Sequence, residues 1–331
     1  MQINSCRNGV MHQSLQSLIW KSWAMDPIKF GEDLARKADL AHSLSTQKFA
    51  WPNLSGQSLV FMAMGSSAFA AQSMVTRLQS CGSDATFTLS SNPTPPQSST
   101  GKTLIGISAS GNSVETNAAF DAAGGYKEKI WLTNSAERGN LTVAMNAGIE
   151  SGGVASLTYM ATHVALLRLF ESLGCIDGLE KSIESAAVAI ADIYTRKELW
   201  LPELINHIKS PAGSYYIAPA DRLCSAQQSA LMMRESPRLP SVGCETGDWS
   251  HIDVYLTKTL DYRAILFPGS QWEDQLFKWT QERGSKVITI GFDHPHATSS
   301  LRYTNDSDPL VRLLAETTFA EILAQHLWVT A

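Results

Sequence analysis

The sequence is short of basic residues, long apolar runs and paired cysteines, and each shortage closes off a class of function. Its 331 residues carry 26 Lys and Arg against 31 Asp and Glu, a net charge of −5. Such a balance gives no basic footprint for nucleic acid, and no helix-turn-helix segment is apparent. No apolar run approaches the ~20 residues that a membrane span needs. The start, Met1-Gln2-Ile3-Asn4-Ser5-Cys6-Arg7, lacks the charged head and apolar stretch of a signal peptide, so a cytoplasmic protein is expected. The five cysteines, Cys6, Cys81, Cys175, Cys224 and Cys244, are scattered, odd in number and without a C-x-x-C pair. Neither disulfides nor a zinc site is therefore expected. Cys244 reads as a small buried hydrophobe rather than a nucleophile.

What the chain does have is a repeated alternation of apolar strands and helices. A leader helix is expected over 27–44. Strands follow at 58–64, 85–89, 103–106 and 129–133, with an alanine-rich helix after the first and a long apolar helix over 154–173. Residues 143–153 read as a short strand or loop, and 176–208 as a helical connector. A second unit has strands at 214–218, 264–267 and 286–290 and helices at 223–235, 270–279 and 310–328. Alternation of this kind implies right-handed crossovers and parallel, doubly wound sheets, an α/β fold. The expected organisation is a leader (1–45), a first domain (46–175), a connector (176–208) and a second domain (209–331).

In such sheets a ligand sits at the carboxyl ends of the strands. Here those ends are Gly65-Ser66-Ser67, Ser108-Ala109-Ser110-Gly111-Asn112-Ser113 and Asn134-Ser135. Small hydroxyl residues and glycine leading into a helix gather N–H groups and hydroxyls at its positive end, which suits phosphate. An ordinary N-capped turn is the plainer reading of any one of them. Three converging on one edge point to phosphate. The second unit offers only Pro268-Gly269-Ser270, so one anion site per chain is expected.

Together with Gly153-Val154-Ala155-Ser156, these segments resemble the phosphate-site signatures of the sugar isomerase (SIS) domain. The resemblance is to proteins with two tandem SIS domains, above all the isomerase half of glucosamine-6-phosphate synthase. It implies two flavodoxin-like αβα sandwiches and a sugar 6-phosphate held by Gly65, Ser66, Ser67, Ser108, Ala109, Ser110 and Ser113, with Val154 and Ser156 lining the sugar. Ala109 stands where relatives often have Gln. The resemblance also implies a proton-shuttling carboxylate at Glu235, sixteen residues before His251. By the same resemblance that histidine would serve ring opening in the neighbouring subunit of a homodimer with shared sites. Aldose–ketose isomerisation needs one group to carry a proton between C1 and C2 through an enediol, and a histidine suits ring opening. Glu245 is a second candidate carboxylate. Taken without the motifs, Glu235 reads as a solvated helix-end carboxylate and His251 as a satisfied core histidine.

Several positions depart from the synthase pattern. Met232 occupies the position of a lysine three residues before the catalytic Glu, and the chain ends at Val329-Thr330-Ala331 without the tail lysine. Imine formation then has no obvious amine. The start is not Met-Cys and no glutaminase half precedes, so glutamine is not expected as ammonia source. The expected activity is a phosphosugar isomerase without cofactor, with an aminosugar-phosphate deaminase or deglycase and a non-catalytic sugar-phosphate sensor as the other readings. Asp293-His294-Pro295-His296 reads as a surface loop, and no metal is expected.

Overall fold

The computed structural model describes residues 25–92, 101–135 and 141–331. Cys6, the first part of the leader and the proline loop at 93–96 lie outside them. The first sheet holds β1 (Ser58–Ala63), β2 (Ala85–Leu89), β3 (Lys102–Ile107), β4 (Glu128–Thr133) and β5 (Leu141–Ala144). It is parallel throughout, in the order β2-β1-β3-β4-β5. The second holds β6 (Ser214–Ala218), β7 (Ser241–Glu245), β8 (Arg263–Leu266), β9 (Lys286–Ile290) and β10 (Ser299–Leu301), ordered β10-β9-β8-β6-β7. It too is parallel. Counted from its own first strand, the second order repeats the first. Both follow the 2-1-3-4-5 winding whose direction reverses beside the first strand, where ligands collect.

Two strands have no counterpart in the sequence reading. β7 is an edge strand with Val242 exposed and Gly243 at its centre, so it lacks an apolar run. β10 has only three residues.

Around the first sheet lie α1 (Pro27–Ala35), α2 (Lys37–Ser45), α3 (Gly65–Ser80), α4 (Val114–Ala122) and α5 (Leu157–Ser172). The connector forms α6 (Leu179–Thr195) and α7 (Lys197–His207). The second sheet carries α8 (Leu223–Glu235), α9 (Glu273–Glu282), α10 (Pro309–Ala315) and α11 (Thr317–Thr330). The leader is two helices rather than one. Asp26 starts α1, its carboxylate accepting from Ile28 and Lys29 N–H at 2.9 and 3.1 Å with Pro27 next in line, a favoured opening.

Alternate residues of β1 serve two cores. Leu59, Phe61 and Ala63 join the large cluster that continues through α3, α5 and α8 to Tyr216, Ile265 and Ile288 of the second sheet. Val60 and Met62 pack outward with Phe120 and Trp131. Burial of both faces is what makes these strands nearly continuous apolar runs. Within that core Lys37 of α2 meets Glu321 of α11 at 2.5 Å, both side chains fully buried, with Thr318 also accepting from the lysine.

The expectation of no disulfide is corrected. Cys81 and Cys175 are bonded, with Cα atoms 6.0 Å apart and a sequence separation of 94. They follow the C-terminal ends of α3 and α5, which pack side by side. The chain contact brings them together, and no cysteine spacing announces it. Cys224 and Cys244 stay free and buried, and burial pushes the Cys244 thiol up to about 12. Among the described residues no helix is long and apolar enough to cross a membrane.

Candidate functional site

The carboxyl ends of β1, β3, β4 and β5 open onto one cavity of about 620 Å³. Gly65 takes φ +55, a conformation that costs glycine little, and turns the chain from β1 straight into α3. This puts Ser66 and Ser67 in the cavity wall at the positive end of a sixteen-residue helix. After β3, Ser108, Ala109, Ser110 and Ser113 line the same space. Ser110 Oγ accepts from Asn112 N–H at 3.1 Å, and Ser113 caps α4 by accepting from Thr116 N–H at 3.2 Å. Asn134 ties the strand ends together. Its N–H donates to Ala109 O, its Nδ2 to Gly148 O at 2.7 Å, and its Oδ1 accepts from Ala147 N–H at 2.9 Å.

The opposite wall is the loop before α5, and it holds a residue that sequence reasoning missed. Glu150 Oε1 accepts from the N–H groups of Ser156, Leu157 and Thr158 at 2.7, 2.5 and 3.3 Å, and Oε2 accepts from Thr158 Oγ1 at 2.5 Å. A carboxylate thus caps α5 from six residues upstream, and it lines the cavity. Burial pushes Glu150 above the usual carboxylate range while those four bonds pull the other way. The loop is clasped by α1. Gly152 N–H donates to Asp33 Oδ2 at 2.7 Å, Asp26 N–H to Gly152 O at 3.1 Å, and Arg36 to Ile149 O at 2.8 Å. A Cβ on Gly152 would lie 2.5 Å from Phe30 Cα, so only glycine allows this approach. A carboxylate ahead of Gly-Val-Ala-Ser was the one available signal in the sequence.

The second half contributes the end of α8. Glu235, the last residue of that helix, lines the cavity beside Glu150, Ala155 and Thr158. Two turns earlier on the same face, Gln228 Nε2 donates to Ala155 O at 2.8 Å and anchors α8 to the first half. Burial first, and the Glu150 charge second, push Glu235 up from 4.5 to about 7. The described lining holds no lysine, arginine or histidine. Phosphate is therefore offered only hydroxyls, N–H groups and helix ends, while the two ionisable lining residues are both acids.

Other residues expected at the site lie elsewhere. Val154 is fully buried in the main core, because its side chain turns away from the cavity that Gly153 and Ala155 line. Ser156 is buried with its N–H and hydroxyl on Glu150. Gly65 shapes the turn without lining the space. Met232 is fully buried in the core. His251 is exposed on the segment between β7 and β8 and lines no part of the cavity. Glu245 ends β7 and accepts from Asp248 N–H at 2.8 Å. The His251 segment is braced by buried Trp249, whose Nε1 donates to Tyr262 OH at 2.8 Å, and Tyr262 donates on to Asp253. His294 stacks on Phe277 with ring centroids 3.6 Å apart, and among the described residues no group of three potential ligands gathers around a metal position.

No protein-family model matches the chain. Over 207 residues it is 30% identical to a glutamine–fructose-6-phosphate aminotransferase (isomerizing) from Methanocaldococcus jannaschii, covering 57% of this chain and 19% of that protein. The chain thus spans about a fifth of that relative's length. The C-terminal domain of glucosamine-fructose-6-phosphate aminotransferase from Francisella tularensis superposes with a TM-score of 0.75 at 11% identity, covering 91% of this chain and 96% of that domain. Tagatose-6-phosphate ketose/aldose isomerase from Escherichia coli superposes with a TM-score of 0.69 at 13% identity, covering 91% and 92%. The chain is homologous to the isomerase (SIS) domain of the aminotransferases, and its fold is that of phosphosugar isomerases.

Proposed function

We propose that this protein is a sugar-phosphate isomerase that interconverts an aldose and a ketose 6-phosphate, of a hexose or an aminosugar, through an enediol. One observation carries the reading: Glu235 of the second half opens into the same cavity as Ser67, Ser108, Ser110 and Ser113 of the first. The serines and the α3 terminus hold the phosphate. Glu235, deprotonated, takes the proton from C2 of the open-chain aldose, O1 gains a proton to give the enediol, and the enediol receives the carbon-bound proton back at C1 as O2 gives up its own. A carboxyl that titrates at about 7 is matched to giving and taking a proton near neutral pH. His251, exposed in one chain, reaches the cavity of a second copy in a homodimer and opens the sugar ring. Two tandem SIS domains, acting in the cytoplasm, complete the reading.

A second reading, a non-catalytic sugar-phosphate sensor, is favoured by the want of any base other than carboxylates in the described lining. Proton NMR in D2O with a panel of hexose and aminosugar 6-phosphates separates the two. The isomerase incorporates deuterium at C2, and Glu235→Gln lowers that rate by roughly 10²- to 10⁴-fold with ligand affinity kept. Release of ammonium from an aminosugar phosphate assigns a deaminase instead. Saturable binding with no exchange across the panel leaves the sensor.

A further inference from the structure

Glu150 has no part in the chemistry so far, yet it is the more firmly held of the two carboxylates in the cavity. Five hydrogen bonds from Ser156, Leu157 and Thr158 reach it, and Glu150 accepts in every one, the arrangement an ionised carboxylate prefers. The loop bearing it is clasped by α1 at three points. Among the described residues no donor meets the Glu235 carboxylate. One acid is tied to five donors and the other to none of them.

We propose that Glu150, fixed in the cavity wall by helix-capping bonds, is a positioning residue whose negative charge governs when Glu235 takes up a proton. Among the described residues no other charge lines the cavity. On its own segment Arg234 and Arg238 are exposed. The β1–α3 turn and the β3–α4 loop bring serines to the wall, and Glu115 of α4 is exposed and holds Ser113. The loop before α5 brings Glu150 alone, held from α1 by Asp26, Asp33 and exposed Arg36, and the described lining has no cation to offset it. Two partly buried carboxylates lining one cavity cannot both ionise freely, so the one without donors keeps its proton longer. The bearing on catalysis rests on the isomerase reading. An acid held half-protonated near neutrality is supplied in both the form that takes a proton and the form that returns it.

The test is a pH titration of the free protein carrying ¹³C-labelled glutamate δ-carboxyls, with assignments from Glu150→Gln and Glu235→Gln. Glu150→Gln keeps an oxygen for the three N–H groups, removes the charge and turns the Thr158 Oγ1 bond around, the amide donating to the hydroxyl. The midpoint of Glu235 is expected to fall by about one pH unit, and the acid limb of C2 exchange to move down with it. Because coupling is reciprocal, Glu235→Gln must lower the midpoint of Glu150 equally, which keeps the test alive if Glu150→Gln does not fold. A Glu235 midpoint unmoved in folded Glu150→Gln, or a Glu150 midpoint unmoved in Glu235→Gln, overturns the proposal. Shifted midpoints without sugar-phosphate exchange would sustain the coupling and sink the isomerase reading alone. Exchange with unmoved midpoints would do the reverse.

Discussion

The two halves wind their sheets in the same order but finish their strand ends differently. After β1 the first half has Ser66 and Ser67 facing open space. After β6 the second has Arg222, nearly fully buried, donating to Pro268 O and 3.4 Å from Glu316 of the α10–α11 junction. After β3 the first half offers Ser108 to Ser113. After β8 the N–H groups of Gly269 and Ser270 are taken at 2.6 and 2.9 Å by Glu273, which begins α9. The second crevice is thus filled by the chain's own charges. What that half adds to the cavity comes from the far end of a helix. Winding decides where a crevice can form, and a few loop side chains decide whether it stays open.

The sharpest way to break this comparison is a matched pair of substitutions. Arg222→Met leaves Glu316 buried without its partner and is expected to cost ~3–5 kcal/mol in chemical denaturation, with no new ligand site. Ser67→Ala is expected to cost under ~0.5 kcal/mol in stability yet weaken sugar-phosphate binding roughly tenfold by calorimetry, through one lost hydrogen bond to a charged group. If both variants lose stability alike, the first crevice is as much a packing element as the second.

Next in size is the disulfide, present only in the first half. Replacing Cys81 and Cys175 by serine is expected to cost ~2–4 kcal/mol. Hydrogen exchange should quicken at the C-terminal ends of α3 and α5 and not in the second sheet. Uniform quickening over both sheets would mean that the halves unfold as one unit.

A pH effect of about 3 kcal/mol follows from Glu235. Its folded value is raised from 4.5 to about 7, so the folded state holds the extra proton across that window. Stability is therefore greatest below about 4.5, falls as pH rises to about 7, and is level above. Thermal melts of Glu235→Gln should lack this slope and exceed the wild type at pH 8. The smallest effect belongs to Glu273→Ala, ~1 kcal/mol for a lost helix-start carboxylate. Calorimetry should still count one sugar phosphate per chain, and a count of two would show that this carboxylate alone shuts the second crevice.

Much of the architecture was legible because doubly buried strands must be apolar. β1, β3, β4, β6, β8 and β9 stand out as runs, and the serine-rich ends of β1 and β3 stand out where those runs stop. β7 was not legible, since an edge strand with an exposed Val242 and a central Gly243 carries no pattern. Glu235 was found by its place in a motif, but its entry into the cavity depends on α8 lying against Ala155, a contact between residues 73 apart. Glu150 was missed because a capping carboxylate six residues ahead of its first N–H partner follows no standard helix-start spacing. Val154 was misplaced for a similar reason: a signature reveals a loop, not which of its side chains turns inward.

The clasp of α1 on Gly152 has a practical meaning for anyone cutting the chain. Met25, just ahead of α1, belongs to the chamber's lining, and Phe30 backbone sits where a side chain at 152 would be. Trimming to residue 46, a natural boundary for crystallisation or fusion work, would spare both sheets and remove one wall of the chamber. It would also leave buried Glu321 without Lys37, so such a fragment is expected to lose stability along with binding.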